Sequence, residues 1–384
     1  MTFSFVDLSP MVVFAIILFI GTGVSYLSKR FRITGVPLFI VIGIIMAGLG
    51  IEHYEGLSFI GDLGLLMIVF IAGLDVYKEK MVSVGNTILF CVLNATISFS
   101  AGVFIGYVFG YGIYTSILIG TILISSSVGI IIPMIAEKKA LKSSYGFLTP
   151  SVVILDGLSL FLLALVIEMS AGKGIAGFLM YSAIFILLML LFLPRIAKRF
   201  FSKNARRAYD LPFIFMCLAG FIAVAEIIGL PNILTAFLAG ISLGETITSR
   251  EAYDEVKAIG EDFLMPVFFV VLGMELDFGV FTDGLGSIAF TASLILILMF
   301  SKVATGVIFG EIRGYEAREG LLIGAIFWPQ LDATLAATAV AFDAGLFDDV
   351  IVVAVACMAI VTSLVSPIVV EYLTRAQVKT QKTI

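Results

Sequence analysis

Two neighbouring apolar segments between residues 121 and 170 restrict the possible folds most strongly. Each is long enough to cross a bilayer as a helix, which takes roughly 20 residues. The first reads TILISSSVGIIIPMIAE and is interrupted by three serines, Gly129 and Pro133, whereas the second carries one acid, Asp156, near its middle. Unwound backbone at membrane depth is tolerated only where protein buries it or where it lines a watery cavity. The pair therefore predicts a polar site inside a helical membrane protein.

The composition of the whole chain fits a protein embedded in a membrane. Of its 384 residues, 60% are hydrophobic and 13% are charged, whereas a soluble domain is about half apolar and about a quarter charged. The sequence predicts an all-α polytopic protein with thirteen transmembrane segments, and those at 35–50 and 231–245 are short enough to be tilted or irregular. The segments cover approximately residues 10–27, 35–50, 58–76, 83–110, 115–136, 147–170, 175–195, 210–229, 231–245, 261–277, 284–310, 318–342 and 349–374.

Cysteine and histidine usage excludes several kinds of site. Cys91, Cys217 and Cys357 are far apart and lie in apolar segments, a pattern that fits buried small side chains rather than disulfides or metal ligands. His53 is the single histidine, so a histidine metal cluster is excluded. We expect no cofactor, no enzymatic activity and no nucleic-acid partner.

The distribution of Lys and Arg predicts the orientation of the chain. If the loop after the first segment is cytoplasmic, all but two of the 23 basic residues fall on the cytoplasmic side. The exceptions are Lys173, on the opposite side, and Lys302, inside a segment. Because cytoplasmic loops carry an excess of basic residues, we expect a cell-membrane protein with its N-terminus outside. The short tail at 375–384 is then cytoplasmic.

The two ends of the chain resemble one another. Residues 36–50 align without a gap with 230–244, and residues 65–76 align with 265–276. The matches predict two six-helix repeats, at 10–170 and 210–374, joined by a connecting helix at 175–195 within a single transmembrane domain. Equivalent segments would run in opposite directions, and such inverted repeats with broken helices are typical of secondary transporters.

Under this repeat, the broken fifth segment has a partner in the twelfth. Trp328, Pro329, Gln330 and Asp332 interrupt that segment at mid-depth. Crossed half-helices oppose their dipoles, so their ends need compensating charges. Asp156 and Lys302 are the natural candidates, and Lys302 fits a structural role at the helix ends as well as it fits a direct role in transport.

Oxygen atoms dominate the predicted site. Ser126 and Ser127 supply hydroxyls beside the Asp156 carboxylate, a combination suited to a small hard cation rather than a transition metal. The alternative readings are a structural hydrogen bond for Asp156 and small-residue helix packing for the serine run. The possible supporting residues are Asn94, Gln330, Asp332 and Glu226.

The chain resembles the cation:proton antiporter-2 family, the bacterial and archaeal Na⁺/H⁺ and K⁺/H⁺ exchangers that include the NapA and Kef types. The resemblance extends over essentially the whole membrane domain and is specific as an ordered set of motifs. These are GLLMIVFIAGLDV (64–76), SSSVGIIIPMI (125–135), VVILDGLSLFLLALV (152–166), LPNILTAFLAGISLGE (230–245), EDFLMPVFFVVLGMELDF (261–278) and SKVATGVIF (301–309).

The resemblance implies the thirteen-helix antiporter fold, a homodimer, a core of crossed broken helices and elevator-like alternating access. It implies that Asp156 binds the cation or the proton, with Ser126 and Ser127 as hydroxyl ligands. Lys302 matches the family's lysine in the eleventh segment.

Two positions depart from the family's pattern. Leu155 stands where electrogenic members carry a first acid that pairs with the lysine, which leaves the charge stoichiometry open. Residues 330–332 read Gln-Leu-Asp where many members have Arg-Gly-Glu, which weakens any transfer of ligands to that stretch.

The sequence predicts a secondary active transporter that exchanges a monovalent cation, with Na⁺ the first choice, for H⁺ by alternating access. Proton and cation would compete for the single carboxylate of Asp156, and one-for-one exchange is favoured. K⁺/H⁺ exchange, a Kef-like cation efflux channel and a sensor without transport are the alternatives.

Overall fold

The computed structural model of the chain describes residues 9–31, 35–51, 54–78, 83–137, 146–172, 174–203, 209–227, 230, 232–247, 250–276, 278–281 and 284–381. All regular structure in these ranges is helical, and eight of the helices are long and apolar enough to cross a membrane. Each of the thirteen predicted segments overlaps a helix or a pair of helices.

The helices are, in chain order, α1 (Pro10–Phe31), α2 (Val36–Gly48), α3 (Glu55–Lys78), α4 (Val84–Val108), α5 (Ile113–Ile124), α6 (Val128–Glu137), α7 (Leu148–Ser170), α8 (Ile175–Lys203), α9 (Asp210–Ile227), α10 (Asn232–Gly244), α11 (Arg250–Lys257), α12 (Met265–Glu275), α13 (Leu285–Arg313), α14 (Ala317–Ile326), α15 (Asp332–Asp343) and α16 (Asp349–Gln381). A π-helical segment, Ala258–Leu264, joins α11 to α12, and a 3₁₀ turn spans Phe278–Phe281.

The chain divides into two compact units, and each takes helices from both halves of the sequence. The first unit consists of Met1–Glu79 and Gly172–Leu276, so it holds α1–α3 and α8–α12. The second consists of Lys80–Ala171 and Asp277–Ile384, so it holds α4–α7 and α13–α16.

Two pairs of glycines bring the helices of the first unit close together. Helix α2 meets α12 where Gly43 faces Gly273, and α3 meets α10 where Gly73 faces Gly240. A Cβ atom at Gly240 would lie 2.1 Å from the carbonyl oxygen of Phe70, which no side chain tolerates. The sequence predicts that the short helices α2 and α10 are tilted or irregular. Both are regular in the structure, and at about 1.5 Å per residue each measures about 20 Å.

The tenth predicted segment begins earlier than expected. Its helix starts with α11, a charged turn reading REAYDEVK, and passes through the π-helical segment into α12. Polar contacts hold α11 to the end of α3: Tyr253 donates a hydrogen bond to Asp75, and Lys257 lies 3.4 Å from the same carboxylate. The apolar pattern does not predict α11, because this short charged helix contacts polar partners.

The second unit contains two interrupted helices. Helix α5 ends at Ile124 and α6 begins at Val128, so the first interruption consists of the three serines. Gly129 and Pro133, which were expected to extend this break, have helical backbone. The second interruption consists of residues 327–331, between α14 and α15, and Asp332 starts the following helix instead of belonging to the break.

Close glycine contacts and an aromatic cluster pack the helices around these breaks. Gly102 of α4 meets Gly120 of α5, and Gly306 of α13 meets Gly320 and Gly324 of α14. Four fully buried phenylalanines stack between α4, α13 and the second break, with neighbouring ring centroids 4.5–5.6 Å apart. Such aromatic pairs add to the stability gained from burial. The four are Phe90, Phe147, Phe309 and Phe327.

Candidate functional site

The two helix breaks of the second unit bond directly to one another. The backbone N–H of Ser127 donates to the carbonyl of Pro329 at 2.8 Å, and the Ser126 hydroxyl donates to the carbonyl of Phe327 at 2.9 Å. All three serines are buried. Buried backbone groups must find partners inside the protein, and here each break supplies partners for the other.

Asp156 lies beside the first break, on α7. Its side chain is 1% exposed, and its Oδ1 accepts a hydrogen bond from the Ser125 hydroxyl at 2.6 Å and another from the Ser126 N–H at 3.1 Å. These donors precede the N-terminus of α6, which carries the positive end of a helix dipole. Charge-assisted bonds of this kind offset the cost of burying a carboxylate.

Lys302 lies on the opposite side of the same break, on α13. Its side chain is fully buried, and its ammonium donates to the carbonyls of Ile124 at 2.9 Å and Ser125 at 3.0 Å. These are the last carbonyls of α5 and its continuation, where the helix dipole is negative. A cation therefore caps the C-terminus of α5, and an anion caps the approach to α6.

Gln330 connects the second break to the first. Its side-chain amide donates to the carbonyl of Ser125 and accepts a hydrogen bond from the Thr334 hydroxyl. Its backbone N–H donates to the hydroxyl of Thr362 at 3.3 Å. Ser125 also bonds Asp156 through its hydroxyl and Lys302 through its carbonyl. Ser125 therefore contacts the side chains of Asp156, Lys302 and Gln330.

Asn94 contacts the same break from α4. Its amide nitrogen donates to the carbonyl of Ile124 at 2.9 Å, and its side chain is fully buried. Of the sequence-predicted residues, the structure therefore brings Asn94, Ser126, Ser127, Asp156, Lys302 and Gln330 together around the first break.

For two predicted residues, the described side chains show no bond to this assembly. Glu226 lies near the end of α9, in the first unit, and its side chain is exposed. Asp332 starts α15, and its side chain falls outside the described ones.

Sequence reasoning did not single out Ser125 or Thr334. The serine run predicts a hydroxyl near Asp156, but the structure gives that bond to Ser125, whereas the Ser126 hydroxyl turns toward the other break. Thr334 could have been found as the residue one helical turn after Gln330.

The site can hold a proton or a small hard cation. Its groups are one carboxylate, hydroxyls and backbone carbonyls, which suit ions that prefer oxygen ligands. Within the described residues, no group of three or more His, Cys, Asp or Glu side chains is placed to hold a metal ion.

Comparison with known proteins gives a match over nearly the whole chain. The family model described as "Sodium/hydrogen exchanger, transmembrane" matches residues 13–376. A probable Na⁺/H⁺ antiporter 3 of Methanocaldococcus jannaschii is 30% identical, covering 94% of this chain and 96% of that protein. A Na⁺/H⁺ antiporter of Enterococcus hirae is 25% identical, covering 91% of this chain and 94% of its own length.

A solved structure has the same fold. The sodium proton antiporter MjNhaP1 from Methanocaldococcus jannaschii superposes with a TM-score of 0.70 over 93% of this chain and 95% of its own. The two share 15% sequence identity, so this likeness concerns the fold alone.

Proposed function

We propose, since the chain belongs to the sodium/hydrogen exchanger family, that this multi-pass membrane protein exchanges Na⁺ for H⁺ across the cell membrane. One observation supports the proposal above the rest. Among the described side chains, one buried carboxylate, Asp156, lies where two broken helices meet, bonded to Ser125 and to the N–H of Ser126. Both of these bonds are donated to the carboxylate, so a proton or a cation can take up its negative charge in exchange for them.

The exchange follows from competition at one site. Ionised Asp156 accepts the Ser125 hydroxyl bond. A proton on the carboxylate or a Na⁺ beside it each neutralises the same negative charge, so neither ion stays when the other binds. Ser126, Ser127 and the carbonyls of the unwound turn supply further oxygens for Na⁺, and alternating access to this site from the two sides of the membrane completes the cycle.

Lys302 and Gln330 keep the site in shape during this cycle. Lys302 neutralises the carbonyl end of α5. This stabilises the break and leaves the negative charge of Asp156 available to the transported ion. Gln330 ties the second break to Ser125. Glu226, which is exposed near the end of α9, is given no part in the ion site.

The architecture proposed here is a single domain with inverted repeats, assembled as a homodimer with its N-terminus outside. Matching glycine contacts support the repeats, because α2 meets α12 as α10 meets α3. These contacts make Gly43 equivalent to Gly240. The sequence alignment of 36–50 with 230–244 differs from this equivalence by three positions. The asymmetry of Lys and Arg supports the orientation, and the family resemblance supports the dimer.

Reconstituted vesicles with an internal pH dye test the function. An outward or inward Na⁺ gradient should move protons uphill, whereas K⁺ in place of Na⁺ should drive little flux. Asp156→Asn keeps the shape and removes the charge, so proton movement should stop while the protein folds as before. Glu168→Gln, a buried acid on the same helix α7, is the matched control and should transport normally.

Each outcome decides between named functions. Uphill proton flux driven better by K⁺ than by Na⁺ would make the protein a K⁺/H⁺ exchanger. Downhill cation flux without proton movement would identify a channel, and the absence of any flux would identify a sensor. Exchange at the wild-type rate by Asp156→Asn would remove Asp156 from the mechanism.

A further inference from the structure

The amide oxygen of Asn94 has no hydrogen-bond partner among the described residues. The side chain is fully buried in α4, and its amide nitrogen alone is bonded, to the carbonyl of Ile124. Leaving a buried acceptor unpaired costs about 1–3 kcal/mol, and such groups in folded proteins call for an explanation.

The orientation of the amide is fixed by its one bond. Turning the group over would bring the side-chain oxygen against the carbonyl oxygen of Ile124, and neither atom could donate. The amide nitrogen therefore faces the end of α5, and the oxygen is the atom left to accept a bond.

Lys302 is a donor close to the Asn94 amide. Its ammonium bonds the same Ile124 carbonyl, at the same 2.9 Å as the Asn94 nitrogen. Two donors on one oxygen lie within twice that distance of each other. A lysine ammonium carries three N–H groups, and the bonds to Ile124 and Ser125 use two of them.

Ser125 connects this pair to the ion site. Its hydroxyl bonds Asp156, and its carbonyl accepts from Lys302. If the Ser125 turn shifts when an ion neutralises Asp156, the ammonium keeps only the Ile124 carbonyl, and a further acceptor would stabilise the buried charge.

We propose that Asn94 is a positioning residue for Lys302: its nitrogen fixes the Ile124 carbonyl, and its oxygen accepts the ammonium when Ser125 moves. The inference rests on the proposed function, because the movement of Ser125 follows from ion exchange at Asp156. Asn94 acts through Lys302 and does not touch the transported ion.

Two substitutions of opposite chemistry test this role. Lys302 compensates the carbonyl end of α5 only while it keeps its proton, so loss of that proton should slow exchange at high pH and set the alkaline limb of the rate. Asn94→Leu removes the acceptor, so this limb moves down in pH. Asn94→Asp gives up the bond to the Ile124 carbonyl and offers Lys302 a charged acceptor of nearly the same size; because the charged contact is the stronger of the two, the limb moves up. Each shift should change the rate on that limb about fivefold, the effect of one hydrogen bond.

The matched control and the second background separate positioning from packing. Ser98→Ala alters a buried side chain one turn along α4, which contacts Ser301, and should leave the limb in place. In the Lys302→Gln background both Asn94 shifts should vanish. Shifts of the same sign for Leu and Asp, or shifts that persist without Lys302, would overturn the proposal.

Thermal unfolding measures the coupling of Asn94 and Lys302 through the Ile124 carbonyl, without transport. The wild type, Asn94→Leu, Lys302→Gln and the double variant form a cycle, in which a non-additive loss of stability is expected. Additive losses would overturn the proposal. If the wild type exchanges no ions, the proposed function fails while this cycle still decides the role of Asn94. If Asn94→Leu does not fold, the nearly isosteric Asn94→Asp decides both measurements.

Discussion

In the first unit, helices meet at glycine pairs and run on without a break, whereas in the second unit two helices break where they meet. At Gly73 and Gly240, α3 and α10 approach backbone to backbone, yet every peptide group there keeps its partner within its own helix. At Ser125 the turn is unwound, and its polar groups are taken up by Asp156, Lys302 and Gln330.

The difference shows what a helix break requires at membrane depth. Close approach alone needs only the removal of a Cβ atom, and dispersion and burial then stabilise the contact. A break exposes backbone N–H and C=O groups, and these demand polar or charged side chains. The first arrangement yields a rigid contact, and the second yields a charged site whose partners an ion can replace.

The largest effect is expected at the glycine contact. Gly240→Ala places a Cβ 2.1 Å from a backbone oxygen, and such overpacking costs about 3 kcal/mol or more because backbone must move. The thermal midpoint in detergent and the yield of monodisperse protein should both fall. Gly220→Ala in α9 is the control, since nothing lies within 4 Å of its added Cβ. Equal stability of the two variants would show that the contact tolerates separation.

An intermediate effect is expected from the serines of the break. Ser125→Ala removes a hydrogen bond to a charged group, worth about 1.5 kcal/mol or more, so ionised Asp156 loses support and the proton competes better. The apparent KM for Na⁺ should rise about tenfold with the fold retained. Ser127→Ala, which keeps its backbone bond to Pro329, should raise the KM less.

Kinetics of the two serine variants sharpen the assignment. A larger KM change for Ser127→Ala would mean that the Ser127 hydroxyl contributes more to Na⁺ binding than the Ser125 hydroxyl does. An unchanged KM in both would mean that the serine run only packs the helices.

The smallest effect is expected from membrane potential. With Leu155 beside it, Asp156 is the one carboxylate that the described side chains place at the two breaks, and a proton or a Na⁺ neutralises the same charge. Exchange should therefore be electroneutral, and a K⁺/valinomycin potential of either sign should leave the initial rate unchanged. A several-fold change would make Lys302 a second proton carrier, and Lys302→Gln should then abolish the voltage dependence.

The helices and both breaks could be predicted from the sequence because their signals are local. Long apolar runs mark the spans, and serines or Trp-Pro-Gln inside such a run mark the interruptions. The position of Lys302, too deep to reach either surface, predicted either charge compensation at the helix ends or a direct role in transport, and its bonds to Ile124 and Ser125 place it where the first role would require.

The remaining features depend on partners far away in the chain. Which serine reaches Asp156 is decided by the path of the turn, and that path is fixed by bonds to Phe327 and Pro329. The extent of α11 was missed because its stability comes from Asp75 rather than from apolar periodicity. The register of the glycine contacts was missed because short apolar helices align equally well at neighbouring offsets.

The long-range bonds of the first break also have a consequence for how the chain is made. The Ser126 hydroxyl bonds a carbonyl that is synthesised 201 residues later, and the Ile124 carbonyl bonds a lysine that is synthesised 178 residues later. At about 5–20 residues per second of synthesis, that delay is about 10–40 s. Throughout this interval the newly made α5–α6 pair has Asn94 and Asp156 but lacks its later partners, so its remaining polar groups must stay hydrated, or be sheltered by the insertion machinery, until the second half of the chain arrives.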